Sequence, residues 1–334
     1  MRVAAALVVY AGLLAVAGPW VLRQGRWASR APWLGILAWQ GLSAAFLLAL
    51  TLTGLALAVP SASLSGSLAQ LLRSCAMAIR AAYSSPGGAA MAGTGLVLAG
   101  GVIARVGWCT ARVLLRTRAH RDGHCDGLAL VGRFDATLGV TVLDTAAASA
   151  YCVPGRTRHI VVTTGALTAL QPDELTAVLA HERAHLIGRH HLILAAARAL
   201  AEAFPRVPLL TLAGQEVARL VEMLADDRAT RGLPRRTVAS ALLVLADTCA
   251  PAAALAAGGP TTLRRVRRLM SPAAPLGVLR TLMAGTLLAV VLATPVAAAV
   301  APGTQVAGMR HCDLTMTASR AEKGTGGATP YEFY

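Results

Sequence analysis

Four stretches of this chain run for about twenty residues with almost no charged side chain: Val3 to Leu22, Leu34 to Val59, Ala89 to Trp108 and Leu282 to Ala301. About 20 helical residues cross the hydrocarbon core of a bilayer, so each stretch is predicted to be a membrane span. The first continues past Ala15-Val16-Ala17, a small-residue sequence of the kind that ends signal peptides, to Trp20 and Leu22. A retained anchor fits that continuation better than a cleaved leader.

Between Asp122 and Pro275 the pattern changes to that of a water-soluble domain. Gly139 to Asp144 is rich in β-formers, and Ala148 to Val153 and His159 to Thr164 follow, separated by the turn signal Pro154-Gly155. Pro172, Asp173 and Glu174 then open a helix, with proline in the first turn and acids at the positive end of the dipole. Its apolar pattern runs on through Leu192, Leu194 and Ala195 toward Pro205. A second helix is predicted from about Gln215 to Arg231, closed by Gly232 and Pro234. The organisation expected is a three-span region over residues 1–108, an inserted domain over 109–280, a fourth span over 281–301 and a short tail over 302–334.

Composition sharpens this division. Hydrophobic residues make up 55% of the chain and charged ones only 14%, too apolar for an ordinary soluble protein of 334 residues. No Asp or Glu precedes Asp122, so arginine is the fixed charge of the first 121 residues. The net charge of +15 invites a nucleic-acid reading. Aromatic residues at 4% leave few stacking platforms, however, and the arginines cluster beside the apolar runs, so direct nucleic-acid binding is not expected. Arg23, Arg26 and Arg30 follow the first run, Arg112, Arg116, Arg118 and Arg121 follow the third, and Arg264, Arg265, Arg267 and Arg268 precede the fourth. The positive-inside rule then places the N-terminus outside, residues 109–280 in the cytoplasm and the tail outside. The six cysteines are scattered without a CxxC pair and do not form a disulfide framework.

The chemistry lies in His181-Glu182-Arg183-Ala184-His185, an HExxH motif inside the apolar helical pattern. Positions i and i+4 share a helix face, so both imidazoles can reach one ion, and the Glu beside the first can activate a water there. This pattern points to zinc-dependent peptide hydrolysis, with His181 and His185 as metal ligands and Glu182 as general base. The whole is expected to be an α-helical multi-pass membrane protein with an inserted α+β, zincin-like metallopeptidase domain.

A catalytic zinc has three protein ligands and an open position. Two residues compete for the third. His191 completes HExxHxxGxxH with Gly188. Glu222 and Asp226, at i and i+4, instead offer one ligand and one acceptor for a ligand histidine's outer N–H. Glu222 is favoured: on a continuous helix His191 lies about 80° around from His181 and at least two turns away.

With these residues, and with Ala150-Tyr151-Cys152-Val153-Pro154-Gly155 and Ile160 to Leu167, the chain resembles the BlaR/MecR-type antirepressor metallopeptidases, integral-membrane gluzincins. The resemblance covers most of residues 1–301. It implies Zn²⁺ held by His181, His185 and Glu222, with Glu182 as base and Asp226 orienting a ligand. It also implies that Ala150, Tyr151 and Cys152 form an edge strand that pairs with an extended substrate. The substrate implied is a cytosolic protein, a transcriptional repressor, cleaved by an enzyme seated in the lipid bilayer. The best-known members carry a penicillin-binding sensor after the last span; about 33 residues remain here, without an SxxK motif, so β-lactam sensing by this chain alone is not expected. The sequence also resembles HtpX/Ste24-like membrane quality-control proteases, which share HExxH and the downstream Glu. A non-enzymatic alternative is a signalling scaffold with a degenerate site. The oligomeric state stays open.

Weaker signals have plainer readings. His120, His124, Cys125 and Asp126 read as a polar connector rather than a second metal site, and Cys152 as a strand cysteine. Cys75 and Cys312 both fall outside in this topology, but nothing brings them together. Leu263 to Leu269 reads as a basic helix lying on anionic lipid. His159, Arg228 and Arg231 are candidates for stabilising the oxyanion.

Overall fold

A computed structural model of the chain describes residues 1–24, 27–58, 87–155, 159–248, 255–272 and 276–323, with Met77, Arg80 and Ser84; for residues 255–260 and 301–323 it describes the backbone alone. The Cys75–Cys312 pairing lies outside what is described. Helices α1 (Arg2–Arg23), α3 (Pro32–Ala58), α4 (Gly88–Val131) and α11 (Val278–Lys323, apolar as far as Val300) are long and apolar enough to cross a membrane. A four-residue helix, α2 (Trp27–Arg30), lies between the first two.

The chain forms two compact units. One contains Met1–Gly12, Ala45–Ile103 and Val291–Tyr334. Within it Tyr10 Oη donates to the Val291 carbonyl at 2.6 Å, and α3 meets α4 where Gly54 faces Gly95. A Cβ on either glycine would strike the other helix's backbone, so the two helices approach this closely only because both are glycine.

The second unit contains Leu13–Ala44 and Ala104–Val290. Its sheet has the order β1-β2-β4-β3, from Gly132–Asp135, Val140–Leu143, Ala150–Val153 and His159–Thr163. β2 and β4 are parallel, and β1 and β3 pair antiparallel on the two outer edges. β1 is an addition to the strands legible in the sequence. Its Gly-Arg-Phe-Asp carries no apolar alternation, and Phe134 is exposed.

Alternation of side chains sends the two faces of the sheet to different layers. Leu143, Tyr151, Val153 and Val161 pack against Cys125 and Leu128 of α4. Val140, Val142, Ala150, Cys152, Ile160 and Val162 pack against Val178, Leu179 and Leu186 of α6 (Pro172–Ile187) and Ala241 of α9 (Arg235–Thr248). The remaining helices are α5 (Thr164–Ala169), α7 (His190–Ala203), α8 (Pro208–Ala229) and α10 (Leu255–Met270).

Two expectations are corrected. The third apolar run does not give way to a connector at Trp108. The helix continues through His120, His124, Cys125 and Asp126 to Val131, about 35 Å beyond the apolar part. No proline interrupts it, and Leu128 is buried by packing on the sheet. The HExxH helix does not run toward Pro205 either. It stops at Ile187, caps on Gly188 and restarts at His190, because Arg189 takes a left-handed conformation with φ of 48°. Smaller differences are that α8 begins at Pro208, seven residues before the expected Gln215, and that α11 continues as helix through Lys323.

Candidate metal centre

α6 is anchored where the sequence pattern placed it. Pro172 occupies the first turn, and Gln171 and Glu174 form a reciprocal capping box. The helix then delivers His181, Glu182 and His185 to one face, against α8 on one side and β3 on the other.

His181 Nε2 and His185 Nε2 lie 3.1 Å apart. Glu222, from α8, places Oε2 3.5 Å from the first and Oε1 3.6 Å from the second. The three side chains form a group whose ligand atoms all fall within 4.8 Å of one another. Ligands about 2.1 Å from a tetrahedral ion stand about 3.4 Å apart, so these spacings suit one small cation. Two imidazole nitrogens and a carboxylate oxygen are also the donor types that zinc takes in open, catalytic sites. The residues present therefore fit zinc.

The outer nitrogens are engaged as well. His181 Nδ1 stands 3.1 Å from Oδ1 of Asp226, which is fully buried. Arg265, from α10, grips the same carboxylate twice, Nη2 to Oδ1 at 2.6 Å and Nε to Oδ2 at 2.9 Å, and places Nη1 3.0 Å from Glu222 Oε2. On the other ring His185 Nδ1 is 3.1 Å from Nδ1 of His190, which is 1% exposed. Gly188 makes room for this pair: a Cβ there would collide with the His190 ring and with the Arg228 guanidinium.

This setting moves the proton affinities apart. Burial pulls His181 down, but hydrogen bonds with Asp226 and Glu222 outweigh it and hold its pKa at about 9. Burial lowers His185 and His190 to about 4. Burial raises Glu222, yet its hydrogen bond with His181 and the charge of Arg265 bring it down to about 2. Asp226 also falls to about 2, where the Arg265 and His181 hydrogen bonds overcome burial. Burial raises Glu182, against the opposing pull of His181 and a hydrogen bond from the Cys152 thiol. The same burial and the Glu182 charge push Cys152 up to about 12, so it stays a thiol.

A cavity of about 240 Å³ opens on this cluster. His181, Glu182, Glu222 and Arg265 form its polar wall, and Val178, Ala241, Leu242 and Leu245 its apolar one. Ala150 borders the cavity from β3, and Cys152 lies on the same face. Tyr151 points the opposite way, toward His124 of α4, with Oη 2.9 Å from Nε2.

The structure thus brings together His181, Glu182, His185, Glu222 and Asp226, with Ala150 and Cys152 alongside. His191 is not in the donor group, although the continuous helix invoked to exclude it is absent. Its neighbour His190 turns inward instead. Among the described residues His120, His124, Cys125 and Asp126 form no metal-holding group. None of the three oxyanion candidates lines the cavity: Arg228 donates to the Ala184 carbonyl at 3.1 Å, Arg231 is exposed, and His159 pairs with Val153 in the sheet. Two of the basic helix's four arginines turn inward. Arg265 turns to the metal cluster, Arg268 holds Asp227 at 2.7 Å, and only Arg264 and Arg267 of the four are exposed.

Two neighbours of the cluster, His190 and Arg265, are not singled out by the sequence. A signal for the second was present. Asp226 and Asp227 are adjacent acids on a helix with an apolar face, and buried acids need cations. Arg265 and Arg268 are the i, i+3 pair that answers both.

No curated protein and no solved structure matches the chain. Residues 134–273, which contain every side chain of this cluster, match the model of Peptidase family M48, so this segment is similar to a metallopeptidase domain, in a chain with four apolar, membrane-length helices among its described residues.

Proposed function

We propose that this protein is a membrane-anchored zinc metalloendopeptidase that cleaves a cytosolic protein. The observation that carries the reading is the convergence of His181, His185 and Glu222 beside Glu182, with His181, Glu182 and Glu222 lining a cavity. In it His181, His185 and Glu222 hold the metal, Asp226 and His190 fix the rings through their outer nitrogens, and Arg265 holds Asp226. Zinc, when bound, supplies a Lewis acid for the peptide carbonyl and acidifies the attacking water.

The chain's own residues do the rest. Glu182, on the cavity wall, takes a proton from the water as it attacks and returns it to the leaving amine. Its raised pKa suits both halves of that exchange. The substrate lies extended along β3, the free edge of the sheet, with backbone hydrogen bonds at Ala150 and Cys152. The apolar wall of Val178, Ala241, Leu242 and Leu245 takes an apolar side chain next to the scissile bond.

The arginine-rich segments before and after the spans support a cytoplasmic catalytic domain with both termini outside. The antirepressor resemblance supports a transcriptional regulator as substrate. Glu182→Ala should retain one zinc per chain and lose cleavage, and the inactive variant, cross-linked in cells, should trap the substrate. A soluble regulator cut at one bond would support the signalling reading; trapped membrane proteins of many kinds would replace it with quality control. Full proteolysis by Glu182→Ala would remove Glu182 from the mechanism.

A further inference from the structure

The second unit has another cavity, away from the metal cluster. It is an open cavity of about 430 Å³, lined by Trp27, Arg30, Leu34, Leu276, Arg280 and Ala284. Its two arginines come from distant parts of the chain. Arg30 ends α2, two residues before α3 begins at Pro32, and Arg280 is the third residue of α11. Each therefore sits where an apolar, membrane-length helix starts. Both are exposed, and among the described residues no acidic side chain lines the cavity and neither guanidinium has an ion pair. That is unlike Arg265 and Arg268 nearby in sequence, which are both neutralised.

The rest of the lining is amphipathic in an ordered way. Ala284 lies about one turn along α11 from Arg280, and Leu34 lies in the first turn of α3, four residues after Arg30. Leu279, Leu282 and Met283, in the first two turns of α11, are 63–71% exposed, as side chains meant for hydrocarbon are. Trp27, five residues before α3 begins, adds an indole, the side chain that favours membrane interfaces. Farther along the same two helices, the Leu288 side chain of α11 fills the space that a Cβ on Gly41 of α3 would take. Two unpaired guanidinium forks above an apolar floor match a phosphate with an acyl chain beneath it.

We infer that the cavity between Arg30 and Arg280 binds the phosphate headgroup of an anionic phospholipid, with the lipid's acyl chain running over Leu34 and Ala284. The site fixes the start of α3 and the start of α11 to one lipid at one membrane surface. It is independent of the zinc reading.

The test uses the full chain in neutral detergent. Thermal stability and lipid retention by native mass spectrometry are measured with phosphatidylglycerol, phosphatidylcholine or inorganic phosphate added. Wild type should retain phosphatidylglycerol at least tenfold better than phosphatidylcholine. Arg30→Gln/Arg280→Gln should lose that preference while keeping the wild-type circular-dichroism spectrum, which reports folding. Arg264→Gln/Arg267→Gln removes the same charge from exposed positions elsewhere and should keep the preference. Equal loss in both double variants would mean diffuse attraction and overturn the site. An unchanged preference in Arg30→Gln/Arg280→Gln, or stabilisation by inorganic phosphate equal to that by lipid, would overturn it too.

Discussion

His190 Nδ1 lies 3.1 Å from His185 Nδ1, on the side of the His185 ring away from the other donors. For His185 to offer Nε2 to a metal, its Nδ1 must carry the proton, and His190 is the acceptor placed to receive it. Lost partners of this kind lower metal affinity about 10–100-fold. His190→Ala should therefore weaken zinc binding by that factor, read by competition with a chromogenic chelator. His190→Asn, which keeps an acceptor, should lose less. Equal affinity in wild type and His190→Ala would show that the contact does not orient His185.

His191 and Glu222 make opposite predictions. Glu222→Gln removes a charged donor that stands 3.5 and 3.6 Å from the two imidazole nitrogens, and should bring zinc content well below one per chain. His191→Ala should leave it at one. Metal analysis of the two purified variants decides between them; loss of zinc from His191→Ala alone would restore the longer HExxHxxGxxH motif.

Much of this site was legible because its parts are local. HExxH and Glu222-x-x-x-Asp226 each lie within five residues on a single helix, where 3.6-residue periodicity turns spacing directly into a shared face. The break at Gly188 was not legible. Arg189 in a left-handed conformation is unusual for a residue with a Cβ, and the apolar pattern continues across it. One residue of φ reversal rotates the following helix, so that His190 rather than His191 faces His185. Arg265 was obscured for a different reason. In a run of four arginines composition cannot say which two point inward; that depends on how α10 docks on α8. The strand β1 is held by pairing with β2 rather than by its own propensity.

Arg265 is the cation for two carboxylates, and Asp226 is fully buried. Removing one partner of such a pair strands the other's charge and costs on the order of 3 kcal/mol. Arg265→Leu should lower stability by about that amount in chemical denaturation of the detergent-solubilised protein. Arg267→Leu, one helix position past the inward face, should change it little. A harmless Arg265→Leu would mean that His181 alone satisfies Asp226.

Zinc binding should release a proton. In the metal-free protein His181 has its pKa raised from 6.5 to about 9, whereas His185, near 4, and Glu222, near 2, are already deprotonated at neutral pH. The metal and the proton compete for His181, so about one proton should leave per zinc at pH 7.5. The release should fade as pH rises through 9. Below 9 the affinity should drop about tenfold per pH unit, and more steeply near 4 as His185 begins to bind a proton too. The same raised pKa adds stability to the metal-free protein that is complete below pH 6.5 and is lost as pH rises through 9. Calorimetric titration with zinc in two buffers of different ionisation enthalpy counts the protons directly. A count of zero at pH 7.5 would show that the Asp226 carboxylate does not hold His181 in its protonated form.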